Sequence, residues 1–101
     1  MATATLTANA TTNVDIGDSA THHGVIVKYA CRRGTEYQAG QVMVLNEDGI
    51  TTDFSWDYFS DDVGLTITSD INAGDIRLVC AVDNSSANNV TLNYNVTRID
   101  L

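Results

Sequence analysis

The sequence predicts an all-β fold: a single antiparallel β-sandwich, jelly-roll-like, of about seven or eight strands, with an extended N-terminal arm. Three observations predict it. From Val90 to Thr97 apolar and polar side chains alternate without a break, Val90, Leu92, Tyr94 and Val96 on one side and Thr91, Asn93, Asn95 and Thr97 on the other. Strand-like segments recur at intervals of roughly 8–14 residues with Gly, Asn and Asp turns between them, in a chain that has no Pro. No window sustains the i, i+3, i+4, i+7 apolar spacing of an amphipathic helix.

Residues 1–13 are almost wholly Ala, Thr and Asn, with Leu6 the one large apolar side chain after Met1. Such a segment favours extended structure but buries little alone, so it reads as an arm or edge strand lying on a neighbour, with the sandwich domain over 14–101. Val14 to Asp18 is a short strand and turn. The first long strand runs from Gly24 to Arg32, where Val25, Val27, Tyr29 and Cys31 share a face and Lys28 and Arg32 mark the other. Arg33 to Glu36 turns the chain into a strand ending at Leu45, and Asp48-Gly49 is the strongest hairpin signal. Ile50 to Phe54 returns. Ser55 to Asp62 mixes Trp56, Tyr58 and Phe59 with Asp57, Asp61 and Asp62 and reads as a long loop. Val63 to Ser69 and Ile76 to Val82 are strands joined by a turn at Asn72-Ala73-Gly74-Asp75, and Asp83 to Asn89 leads into the last strand.

A chain of 101 residues is the size of one domain. Thirteen acidic residues against five basic ones give a net charge of −8, which leaves no clustered Lys and Arg for phosphates, so neither nucleic acid nor an anionic membrane is expected as a partner. No apolar run approaches the ~18 residues of a membrane span, and no basic stretch precedes an apolar one as in a signal peptide. Synthesis in the cytoplasm is the expectation. Cys31 and Cys80 each share the parity of apolar neighbours, which suits free core thiols; a disulfide stays open, since sequence does not supply the Cα separation.

Chemistry finds little footing. His22 and His23 are adjacent and point to opposite faces of a strand, so they do not converge on one zinc ion. Asp53, Asp57, Asp61 and Asp62 invite calcium, but their spacing lacks the Gly of an EF-hand loop. There is no Gly-x-Ser-x-Gly elbow and no Gly-rich phosphate loop. No enzyme, metal or cofactor is expected. Asn-x-Ser/Thr sequons at Asn9, Asn84, Asn89 and Asn95 follow from the abundance of Asn and Thr.

The pattern Gly24-x-x-x-x-Tyr29-x-x-Arg32-x-Gly34-x-x-Tyr37-x-x-Gly40-x-Val42-x-Val44 resembles a small domain of tailed-bacteriophage virion proteins. The resemblance continues through an Asp-rich stretch, Gly64-Leu65-Thr66, Gly74-x-Ile76-Arg77-Leu78 and Thr91-Leu92-x-Tyr94-x-x-x-Arg98, covering roughly residues 22–99. It implies a β-rich, multimeric structural module with no catalytic residues. The chain begins with Met1 and shows no fibre shaft, which points toward a small protein joining the virion: a capsid decoration protein that stabilises the head shell. The alternative is a receptor- or glycan-binding tip of a tail or head fibre. Expected partners are the major capsid or fibre proteins and further copies of the chain, as a trimer. The candidate contact residues are Leu6 on the arm, the row Thr91, Asn93, Asn95 and Thr97, and the aromatics Trp56, Tyr58 and Phe59.

Overall fold

A computed structural model describes residues 1–59 and 61–100, with residues 57–59 described by their backbone alone. Eight strands follow in chain order: β1 (Ala2–Leu6), β2 (Ala10–Asp18), β3 (His22–Arg33), β4 (Glu36–Glu47), β5 (Ile50–Phe59), β6 (Leu65–Asn72), β7 (Asp75–Val82) and β8 (Val90–Asp100). They form a five-stranded sheet, β1-β8-β3-β4-β5, facing a three-stranded sheet, β2-β7-β6, and every neighbouring pair is antiparallel. The first two strands pair with the last two, β1 with β8 and β2 with β7, as in the outer pairs of a jelly roll, while β6 pairs with β7 and not with β3. Between them β3, β4 and β5 run as a meander within one sheet.

Side-chain alternation explains the layers. On β3 Val25, Val27, Tyr29 and Cys31 turn inward, on β4 Val42 and Val44, on β7 Ile76, Leu78, Cys80 and Val82, and on β8 Val90 and Leu92. With Leu6, Val14, Ile16 and Val63 they make one core between the sheets. In the β4–β5 turn Asp48 and Gly49 both have positive φ, 49° and 88°, the form that matches the twist of a two-residue hairpin.

Two expectations change. Of the two readings for residues 1–13, an arm or an edge strand, β1 takes the second, at the edge of the large sheet; residues 10–13 already belong to β2, so the expected boundary after residue 13 falls inside a strand. Leu6 is fully buried, which removes it from the candidate contact residues. The Thr-rich composition hid this, because a strand held on one side by backbone pairing needs only one large apolar anchor.

The second change concerns Ser55 to Asp62. β5 continues to Phe59 in unbroken register, from Ile50 opposite Glu47 to Phe59 opposite Gln38. Its alternation is inverted: Ile50, Phe54 and Trp56 face out, while Thr51, Asp53 and Ser55 face the other sheet. The hairpin turn and the β4 backbone therefore set its register, and burial of apolar groups does not.

Replacing Leu6 by Ala should cost about 2–5 kcal/mol in chemical denaturation, the usual loss for a fully buried Leu. Unchanged stability would mean that β1 is not docked in the core.

Candidate binding face

The large sheet has an outer face that the small sheet does not cover. Strand register places its side chains in rows running across β8, β3, β4 and β5. One end row joins Thr91, Arg32 and Tyr37, with Thr5 beyond Thr91 on β1; the next joins Thr3, Asn93, Ala30 and Ala39. Asn95, Lys28, Gln41 and Trp56 follow, then Thr97, Ile26, Met43 and Phe54, and last Ile99, Gly24, Leu45 and Thr52. No position in these rows is Asp or Glu, although the chain has thirteen of them. Lys28 and Arg32 are the only charges there.

The face is polar at one end and apolar at the other. Phe54 is 60% exposed and its ring lies 4.8 Å from that of Trp56, with Met43 opposite Phe54 on β4 and Ile50 further along β5. An apolar cluster of this kind on a chain of −8 is a surface that water solvates poorly and that another molecule can cover.

Thr91, Asn93, Asn95 and Thr97 all lie on this face, and so does Trp56, but three strand spacings away, about 14 Å. The aromatic row and the Thr/Asn row are thus two ends of one surface. The side chains of Tyr58 and Phe59 lie outside the described residues. Cys31 and Cys80 are buried cysteines on opposite sheets, with no disulfide between them. Burial pushes the Cys80 thiol up to about 11, with a smaller contribution from Cys31, so it is protonated at neutral pH.

The other sequence candidates have structural partners. His22 Nδ1 lies 3.1 Å from Asp100 Oδ1, and His23 is exposed. Asp53 accepts a hydrogen bond from the Ser69 hydroxyl at 2.7 Å, Asp61 from the Tyr37 N–H and Asp62 from the Gly64 N–H. Among the described residues no three His, Cys, Asp or Glu side chains are grouped to hold a metal ion.

The residue that sequence reading missed is Arg33. It stands where β3 alternation points inward and is 2% exposed. Its guanidinium donates to the carbonyls of Val63, Asp83, Ser86 and Asn88, to Asp83 Oδ1 at 2.7 Å and to the Ser85 hydroxyl. The parity Val25, Val27, Tyr29, Cys31, Arg33 was the signal; its position beside a turn obscured it. The result is a fixed loop from Asp83 to Asn89. That loop borders a shallow cleft on the outer face, lined by Arg32, Gly34, Asn88, Asn89, Thr91 and Asn93.

With this geometry in view, the comparisons with known proteins bear on the fold. No protein-family model matches the chain, and no curated protein matches it. Among solved structures it is similar to part of the Acinetobacter phage vB_ApiP_P1 tailspike protein, with a TM-score of 0.60 at 13% identity. The match covers 98% of this chain and 22% of the tailspike, so the chain spans about a fifth of that protein's length. At this identity the likeness is one of fold.

The Ser85 hydroxyl, the Arg33 guanidinium and the Ser85 N–H hold the Asp83 carboxyl down to about 2. A carboxyl lowered on folding adds stability that is complete above the ordinary carboxylate range and is lost as pH falls through about 2. An NMR titration should therefore give Asp83 a midpoint near 2, and Asp83→Asn should flatten the acid limb of the stability curve between about 4 and 2. A midpoint near 4 would show that the Arg33 and Ser85 contacts do not form in solution.

Proposed function

We propose that this chain is a structural module of a bacteriophage virion that meets its neighbours through the outer face of the five-stranded sheet. The observation that carries the reading is the fold likeness to a segment of a phage tailspike protein, which extends over nearly the whole of this chain. The surface supports it. A −8 chain repels acidic proteins over most of its exterior, and the large sheet offers a face poor in carboxylates, with Glu47 at its margin opposite Ile50, where contact is electrostatically tolerable. The reading includes no catalytic step. Self-association, as a trimer, belongs to the same proposal.

Two positions in the particle suit such a module. A tail-fibre or tailspike position has the tailspike likeness in its favour. A capsid decoration position is favoured by the exposed Ile50, Phe54, Trp56 and Met43, a flat apolar surface of the kind that docks onto a protein shell. A stable contact needs about 800 Å² per partner, so either position calls on more than the apolar end alone.

Quantitative gel analysis of purified particles distinguishes the two. Copies in proportion to the major capsid protein support decoration, and copies in proportion to tail proteins support the tail position. Phe54→Ser combined with Trp56→Ser should leave the domain folded, because both side chains are exposed, and remove it from particles. Absence of the wild-type chain from particles would overturn the proposal.

A further inference from the structure

We infer that the cleft beside Arg32 binds a carboxylated sugar, with the Arg32 guanidinium as the carboxylate contact. This goes beyond the virion reading and holds wherever the module sits in a particle. The polarity of the groups that line the cleft suits such a ligand.

Asn89 Oδ1 accepts the Ala8 backbone N–H at 3.0 Å. Because that partner can only donate, the orientation of the amide is fixed, and its NH₂ is the end left for a ligand. Asn93 Oδ1 accepts the Thr3 hydroxyl at 2.9 Å, which ties that side chain to β1. For Asn88 the Nδ2 end is the one nearest Gly34, 2.9 Å from where a Cβ on that residue would stand, and Gly34 has a φ of +61°. Only glycine keeps both the turn and that space. The Asn89 NH₂ and the side-chain amides of Asn88 and Asn93 thus border the cleft, together with the Thr91 hydroxyl and the Arg32 guanidinium.

Arg32 is oriented for a ligand. Its Nε donates to the Gly34 carbonyl at 3.0 Å, and its guanidinium carbon lies 5.9 Å from the centre of the Tyr37 ring. Among the described residues it has no ion pair, whereas Arg33 is paired with Asp83 and Arg77 with Asp70. A positioned guanidinium in a donor-lined cleft selects an acceptor, and the planar fork matches a carboxylate. A carboxylate alone would leave the flanking amides without partners. A uronic acid places ring hydroxyls, each an acceptor as well as a donor, within a few ångströms of its carboxylate. Next to the cleft, Ala30 and Ala39 form a low row, and Lys28 stands beyond it, about 13 Å from Arg32 along β3, where a following acidic sugar would lie.

The test is an NMR titration of the isolated chain with oligogalacturonate, its carboxyl-reduced neutral counterpart and oligoglutamate. Oligogalacturonate should give saturable shifts at the Arg32 Nε–H and at the side-chain amides of Asn88, Asn89 and Asn93. Arg32→Gln should weaken the affinity by about tenfold or more while leaving the spectrum folded. Asn93→Asp, which brings a carboxylate to the cleft, should weaken it as well. No saturable shift, an equal response to the neutral sugar, equal or tighter binding of oligoglutamate, or unchanged affinity in Arg32→Gln would each overturn the inference. Because no particle is involved, failure here is separable from failure of the virion reading.

Discussion

The guanidinium of Arg33 replaces water for six oxygens at one end of the sandwich, four of them main-chain carbonyls. The segments it ties, Val63 before β6 and Asp83 to Asn89 between β7 and β8, hold little apolar surface, Val63 apart, and could not be fixed by core burial. Backbone carbonyls turned away from water need donors, and in this loop a single planar cation supplies them. A buried ion pair can often be exchanged for hydrophobic groups without loss. That exchange is closed here, because four of the six partners are main-chain oxygens that no substitution removes.

The same strand end produces the binding face. Arg32 and Arg33 are consecutive, so β alternation sends them to opposite sides of the large sheet. Arg33 goes in and fixes the loop that carries Asn88 and Asn89; Arg32 goes out and stands in the cleft they border. Structural and ligand-facing roles are separated by one residue of register. The rest of the outer face is mostly uncharged: apart from Lys28 and Arg32, the rows from Thr91 to Ile99 across β8, β3, β4 and β5 carry neutral polar or apolar groups, and Glu47 stands at their margin opposite Ile50.

Much of the fold was legible because it rests on period-2 burial. The inward faces of β3, β4, β7 and β8 read directly from Val, Leu, Ile and Cys at alternate positions, and the face of β8 carrying Thr91 to Thr97 emerged where the alternation placed it. What stayed hidden was held by other forces. β1 contributes one core side chain, Leu6, and otherwise depends on pairing with β8. β5 shows its aromatics to solvent, contrary to the rule that a strand buries its apolar side. The cleft depends on which end of the Asn89 amide is occupied, a property of its long-range partner Ala8 that no local pattern carries. Arg33 combines both difficulties, a charged residue inside, satisfied by residues 30 to 55 positions away.

Native-state hydrogen exchange on Arg33→Met, alongside chemical denaturation, tests most directly whether one buried cation organises this end of the molecule. Arg33→Met should lose about 3 kcal/mol of stability, set by the carbonyls left without donors, and show fast exchange across residues 83–89 while the β3–β4 amides stay protected. Wild-type stability with an unchanged exchange pattern in that loop would contradict it.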